Sequence, residues 1–348
     1  VAFTYRKGIE LKKAIITGIT GQDGSYLAEN LLDKGYEVHG IVRRVSTPNY
    51  KNIQHLLDEP NLHLEEGDIT DLASLIRIFK RIQPDEIYNL AAQSYVAVSW
   101  DQPILTSNVT GMGALNVFEA ARQVCKEARV YQASSSEMFD GINYPQTEQT
   151  PFKPRSPYGV SKLFAHEMAR IYKESYGMFV SCGILFNHES PRRGIEFVTQ
   201  KIVDTIVRQV CGEQITLELG NLEARRDWSH AEDMVQGMWL MLQNKEPDNY
   251  ILSSGETHSI FEFVNIVYTH FGIDVIWVNK DGYPVGYDVD GKILVKSVDK
   301  YYRPNEVNIL LGNPEKAKIE LGWKPKYNFD MLVNDMIELK LIEYTKGG

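Results

Sequence analysis

The chain has 348 residues, enough for one large domain or two smaller ones, and carries a formal net charge of −9, which argues against a general nucleic-acid binder. No apolar run approaches the roughly 20 residues that span a bilayer. The opening segment VAFTYRKGIELKK lacks the apolar stretch of a secretory leader, so a cytoplasmic protein is expected.

In chain order, KAIITG (residues 13–18) is a short β-branched run ended by glycine and reads as a buried strand. DGSYLAENLLDKG has helical periodicity in Leu27, Leu31 and Leu32 and stops at Gly35. YEVHGIVRR is a second strand, LHLEEGDI a third, DLASLIRIFKRI a helix, and DEIYNLAA a fourth strand. A long helix is expected from about Ile104 to Cys125, then the strand ARVYQASS, a helix from about Pro157 to Tyr176, and the strand FVSCGILF. This alternation predicts an α/β fold: a Rossmann-type, doubly wound parallel sheet with helices on both faces.

After about residue 187 the rhythm changes. FNHESPRRG is a polar loop, a helix is expected over Phe197–Cys211, ITLEL is a short strand, and YILSS (250–254) reads as a strand returning to the first sheet. Residues 275–310 are mixed and the end is helical. The expected division is a nucleotide-binding domain over 12–186 plus the strand near 250–254, and a smaller, discontinuous substrate lobe over 187–348. Ligands of such sheets lie in the crevice at the C-terminal ends of the strands.

Cys125, Cys182 and Cys211 are far apart and odd in number, which fits reduced thiols. Eight histidines show no metal-ligand spacing. His230 and Asp233 stand three apart, but two groups do not make a site, so no metal is expected. Arg192, Arg193, Arg225, Arg226 and Arg303 cluster in the second half beside Gly, Trp or Pro; their fork geometry suits a phosphate-bearing ligand.

TGITGQDGSYL places Gly18, Gly21 and Gly24 between the first strand and the first helix. Gly18 permits the tight turn, Gly21 the approach of a pyrophosphate to the helix N-terminus, and Gly24 close helix–sheet packing. The intervening Ile19, Thr20, Gln22 and Asp23 belong to the same loop. At the end of the second strand, where an acid would meet a free ribose 2′-hydroxyl, the chain has Arg43, Arg44 and Ser46 of RRVS. Arginine there accommodates a 2′-phosphate, so NADP is expected. Asp68 and Ile69 of GDIT, and Leu90, Ala91, Ala92, Gln93 and Ser94 of NLAAQS, end the next strands and are expected to line the same crevice.

Tyr158 and Lys162 stand one helical turn apart on one face. A nearby ammonium is expected to depress the phenol from its usual value, so that Tyr158 exchanges a proton with an alcohol while hydride moves. Ser135, in the serine run 134–136, can bond the same oxygen.

These residues resemble the extended short-chain dehydrogenase/reductase family over nearly the whole chain. The resemblance implies the fold, the Ser135, Tyr158 and Lys162 roles and hydride chemistry. Ordinary members need no acid beside the serines, so Glu137 is the added part. Near a sugar oxidised at C4, a carboxylate can take the C5 proton and protonate the departing C6 hydroxyl. RSPYGVSK, ESYGMFVSCGILFNHESPRRG, LGNLEARRDWSHAEDMV and YYRPNEVNILLGNPEKAKIELGWKP look like the GDP-mannose 4,6-dehydratase family. That family carries Thr or Ser, one residue, then Glu after the fifth strand, here Ser135 and Glu137.

By that resemblance, His188 and Arg193 contact NADP, and Asn187, Lys201, Arg226, Arg303 and Glu306 hold GDP-mannose, with Ser94 at the sugar. It further implies a dimer or tetramer joined partly through the RRVS loop, and a first step toward GDP-fucose or GDP-rhamnose. Another sugar-nucleotide epimerase or reductase of this fold, and a non-catalytic NADP sensor, are the competing readings. Glu137 argues against the first and the intact Tyr158–Lys162 pair against the second.

Overall fold

The structure, a computed structural model, describes residues 11–302, 305 and 307–347. The first half runs Lys13–Thr17 (β1), Gln22–Asp33 (α1), Glu37–Val42 (β2), Leu62–Glu66 (β3), Leu72–Ile82 (α2), Glu86–Asn89 (β4), Val98–Asp101 (α3), Pro103–Thr106 (α4), Gly113–Val124 (α5), Arg129–Ser135 (β5), Pro157–Tyr176 (α6) and Val180–Leu185 (β6). The second half runs Asn187–Glu189 (β7), Val198–Val210 (α7), Leu217–Leu219 (β8), Arg225–Arg226 (β9), Trp228–His230 (β10), Ala231–Gln243 (α8) and Tyr250–Leu252 (β11). It ends with His258–Ser259 (β12), Ile260–His270 (α9), Ile276–Lys280 (β13), Tyr283–Tyr287 (β14), Ile293–Ser297 (β15), Ile309–Leu310 (β16), Glu315–Leu321 (α10) and Phe329–Gly347 (α11).

Seven parallel strands form one sheet in the order β11-β6-β5-β4-β1-β2-β3. Strands buried on both faces need continuous apolar runs, and β1 and β6 supply them with Ile15, Ile16, Val180 and Ile184. Leu27 and Leu31 of α1 pack with Met234 and Met238 of α8 on one face; Leu75 and Phe79 of α2 pack with Phe118 of α5 and Ala165 of α6 on the other. The strand order reverses between β1 and β4, which opens the crevice at their C-terminal ends. β11 joins this sheet as the sequence implied, pairing Tyr250 with Gly183. A separate core forms where α7, α9 and α11 cover β8 and β15. No described helix is long and apolar enough to cross a membrane.

Local chemistry fixes the element that carries the catalytic candidates. Ser156 accepts from Gly159 N at 3.0 Å, Pro157 fills the first helical position, and Gly177 ends α6 in a left-handed conformation at φ +65°. The expected continuous helix over 104–125 differs in detail: a π-helical turn, Ser107–Met112, separates α4 from α5. Gly113 follows it, where a Cβ would lie 2.7 Å from Ile69 Cδ1, so the helix passes close to the third strand's exit.

Buried carboxylates tie the second half together. Asp227, fully buried, accepts from the N–H groups of Ser254 (2.7 Å), Gly255 (3.0 Å) and Gly312 (3.2 Å), and from the Ser254 hydroxyl. Asp233 accepts from Lys326 N and Tyr327 N, fastening the segment before α11, and His230 caps α8 through Glu232 N. These two residues of the sequence pattern are thus structural.

Asp227→Ala strands three backbone donors and is expected to cost roughly 3 kcal/mol or more, checked by urea denaturation. Burial raises the Asp227 carboxyl to about 6 against those hydrogen bonds. The folded state therefore holds this proton more tightly than the unfolded chain, and the contribution to stability declines as pH rises between the ordinary 3.8 and about 6. Asp227→Asn should remove that decline.

Candidate active site

A crevice of about 1440 Å³ lies at the C-terminal ends of the parallel strands and extends over the second half of the chain. Ser135, Glu137, Tyr158 and Lys162 all line it. The Ser135 hydroxyl accepts from Glu137 N at 3.2 Å and caps the single turn Ser136–Met138. The first turn of α6 presses against that turn so closely that a Cβ on Gly159 would lie 2.3 Å from the Glu137 carbonyl oxygen. This contact sets Tyr158 beside Ser135 and Glu137.

The electrostatics differ from the expectation for Tyr158. Burial pushes the phenol well up, the Ser135 hydrogen bond draws it down, and the Glu137 charge pushes it further up. Burial also lowers the Lys162 ammonium to about 8. Lys162 Nζ donates to Ala133 O at 2.7 Å and sits 5.8 Å from the centroid of the Tyr158 ring. In this arrangement the hydrogen bond of the ammonium goes to a backbone carbonyl, and the phenol is a buried one steadied by Ser135, its shift opposite in direction to the expected depression.

The glycine loop forms the opposite wall. Gly18 has φ +74°, and a Cβ on Gly24 would lie 2.3 Å from Gly18 O. No side chain caps the N-terminus of α1 at Gly21, so its first N–H groups remain available to an anion in the crevice. Thr20, Gln22 and Asp23 face the same space, whereas Ile19 is fully buried beneath the loop against Gly40. Leu90, Ala91, Ala92, Gln93 and Ser94 line the crevice, as do Asp68 and Ile69. Arg43 lines it too; Arg44 is exposed with Glu66 3.8 Å away, and Ser46 is exposed outside the wall.

Sequence reasoning missed the brace between the two halves of this wall. Asp23 Oδ2 lies 2.8 Å from His188 Nε2, and His188 Nδ1 lies 2.8 Å from Phe186 O. Burial pulls the Asp23 carboxyl up, but the His188 charge and the Gln22 hydrogen bond overcome it and hold it at about 2. Burial likewise opposes the His188 cation, yet Asp23 raises it above its ordinary value. Gln22 donates to His188 O and accepts from Ser190. Nε2 of His188 thus holds β7 to the first turn of α1, while Nδ1, bonded to the nearby Phe186 carbonyl, fixes the ring. The partners stand 165 positions apart, and no local signal links them.

At the far end, Asn187, Lys201 and Arg226 line the crevice; Lys201 Nζ donates to Glu218 O and lies 3.6 Å from the Tyr301 ring centroid. Arg193 lines it with its guanidinium 3.5 Å over Phe197 and 3.0 Å from Glu189. Arg192 and Arg225 are turned to structure instead, paired with Glu29 and Glu262. Arg303 and Glu306 lie outside the described residues. Asn187 Oδ1 and Gln93 Oε1 are buried and without a protein hydrogen-bond partner. With the uncapped helix and the glycine cradle, they fit a crevice built to take polar ligands.

Comparison with known proteins agrees with this geometry. A family model described as GDP-mannose 4,6 dehydratase matches residues 15–336. The GDP-mannose 4,6 dehydratase of Homo sapiens is 48% identical over 93% of this chain and 90% of its own length; that of Yersinia enterocolitica is 46% identical over 94% and 93%. Among solved structures, the dTDP-glucose 4,6-dehydratase DesIV of Streptomyces venezuelae, with NAD bound, superposes at a TM-score of 0.81 with 24% identity, covering 96% of this chain and 98% of its own. The NAD complex of Thermus thermophilus UDP-glucose 4-epimerase gives 0.78 with 23% identity, covering 94% and 98%. These two establish the shared fold. The match over most of the chain, at nearly half identity, makes this chain a member of the GDP-mannose 4,6-dehydratase family.

Proposed function

We propose that the chain is an NADP-dependent hydro-lyase that converts GDP-D-mannose to GDP-4-keto-6-deoxy-D-mannose. The observation that carries this reading is the shared wall on which Glu137 stands beside Tyr158 and Ser135, its charge felt by the phenol. An oxidoreductase alone has no use for that acid; loss of water needs it.

Gly18, Gly21 and Gly24 at the α1 N-terminus would hold the cofactor pyrophosphate, Arg43 its 2′-phosphate, and residues 90–94 its nicotinamide end. Bound there, NADP supplies a hydride acceptor for C4 of the sugar and a hydride donor for C6. Tyr158, steadied by Ser135, would take the proton of the C4 hydroxyl as phenolate, a form that burial disfavours and that the positive charge of Lys162 and of the oxidised nicotinamide would favour. Lys162 supplies positive charge at the buried wall. Glu137 removes the C5 proton, acidified by the C4 carbonyl, and delivers it to the departing C6 hydroxyl, which leaves as water; the proton that Tyr158 took from the C4 hydroxyl balances the one C5 regains when C6 receives hydride. Asn187, Lys201 and Arg226 would hold the GDP portion, with cationic side chains toward the diphosphate, together with Arg303 and Glu306.

Residues 12–186 with 250–254 form the cofactor unit in this reading, and 187–348 the sugar-nucleotide unit. The exposed Val160, Phe164 and Ile171 on α6, with Leu105 and Met112 before α5, offer an apolar face for pairing with a second copy.

Incubation with GDP-mannose and NADP should give a product lighter by one water with no net NADPH. Unchanged sugar nucleotide, or NADPH accumulating with product, rejects the reading. Arg43→Glu should weaken NADP relative to NAD by tenfold or more, about 1.4 kcal/mol. An unchanged preference, measured by cofactor titration, removes Arg43 from the 2′-phosphate.

A further inference from the structure

The edge of the large sheet carries a second cluster that the reaction does not use. β2 and β3 run parallel with His39 directly opposite His63. Glu37 and His39 on β2, and His63 and Glu65 on β3, alternate onto one face because side chains two apart on a strand point the same way. His39 Nε2 lies 3.0 Å from Glu37 Oε1, and His63 Nε2 lies 3.6 Å from the same oxygen. One donor atom each from Glu37, His39 and His63 falls within 4.8 Å of the others.

We infer that Glu37, His39 and His63 form a zinc-class divalent metal site that fastens the edge strand β3 to β2. Two imidazoles and a carboxylate are the donor types such an ion takes. Bonds of about 2.0–2.1 Å to zinc place ligand atoms roughly 3.3 Å apart, so the 3.0 and 3.6 Å separations already match. The remaining separation closes by rotation of His63, whose side chain is 44% exposed and provides the path from solvent. A water completes the coordination.

The surroundings of His39 point the same way. Its side chain is 9% exposed, and its other ring nitrogen, Nδ1, lies 3.2 Å from Glu65 Oε1. A ligating imidazole characteristically donates its second N–H to a carboxylate, which fixes the ring and the tautomer. Glu65 is in turn held by Arg81. Glu37 and Glu65 carry the negative charge that favours a dication, with Arg81 offsetting one of them.

The location gives the ion a role. β2 leads to Val42 and Arg43, and β3 leads to Gly67 and Asp68; all four line the crevice. A clamp between the strands would stiffen that wall without touching the reacting atoms. The histidines stand 24 positions apart on different strands, so the absence of a ligand spacing along the sequence did not exclude this site.

The test is isothermal titration of the chelator-stripped full chain with ZnCl2, beside His63→Ala and Glu37→Gln. Saturable binding of one equivalent, a higher melting midpoint in zinc, and affinity weakened about tenfold or more in both variants are expected. Both variants should keep wild-type turnover of GDP-mannose, since neither residue lines the crevice. No saturable binding to the wild-type chain, or undiminished affinity in both variants, overturns the site.

Discussion

Glu137→Gln should retain cofactor and GDP-mannose binding and lose dehydration by about 10²- to 10⁴-fold, the range for removing one general acid–base group. The replacement is close to isosteric, and the bond from the residue 137 N–H to the Ser135 hydroxyl does not involve the changed atoms. The proton removed from C5 and handed to the departing C6 hydroxyl then has no carrier, while Tyr158, Ser135 and Lys162 remain in place to support oxidation at C4. The variant should therefore stall after oxidation, and a single turnover should leave NADPH that wild type does not accumulate. A second signature follows from electrostatics. After burial, the Glu137 charge is among the effects that raise the Tyr158 phenol, so neutralising it lowers that phenol. The ascending limb of C4 oxidation, which follows loss of the Tyr158 proton, should move to lower pH in the variant. Wild-type turnover in Glu137→Gln would remove this carboxylate from the mechanism.

What the sequence made legible was whatever chemistry is local. Ser156, Pro157 and Gly177 set the ends of α6 by capping and backbone conformation, and those ends agree with the expected Pro157–Tyr176. The buried apolar runs of β1 and β6 and the glycine spacing around Gly21 were equally visible, because strand burial and tight turns leave their mark within a few residues. What depended on tertiary approach was not. The sign of the shift on Tyr158 came out opposite to the expectation because burial, which no spacing reveals, outweighs its partners. By composition the adjacent Arg192 and Arg193 were alike and only the family resemblance set Arg193 apart; in the structure Arg192 braces Glu29 and Arg193 lines the crevice. The Asp23–His188 brace likewise joins segments that meet only once the sheet is assembled.

Gly159→Ala tests that tertiary dependence at the reacting centre and should disrupt it strongly. Gly159 has an ordinary helical conformation, so alanine by itself favours α6. The cost arises from contact alone: the added Cβ would stand 2.3 Å from the Glu137 carbonyl oxygen and 3.0 Å from Pro154 Cβ. A backbone oxygen cannot rotate away as a flexible side chain can, so either α6 lifts or the Ser136–Met138 turn retreats. Overpacking of this kind costs about 1–3 kcal/mol of stability. Either movement separates Tyr158 from Glu137, and a shift near 1 Å at reacting groups costs about 10²-fold in rate. The expected result is a lower melting midpoint together with at least that loss of turnover. Unlike Glu137→Gln, this variant should slow C4 oxidation as well as water loss, because Tyr158 and its Ser135 partner are displaced together. Single-turnover NADPH formation separates the two cases: rapid and persistent in Glu137→Gln, slow in Gly159→Ala. Full activity with unchanged stability in Gly159→Ala would mean that the close approach of α6 to the serine turn does not set the geometry of the catalytic wall.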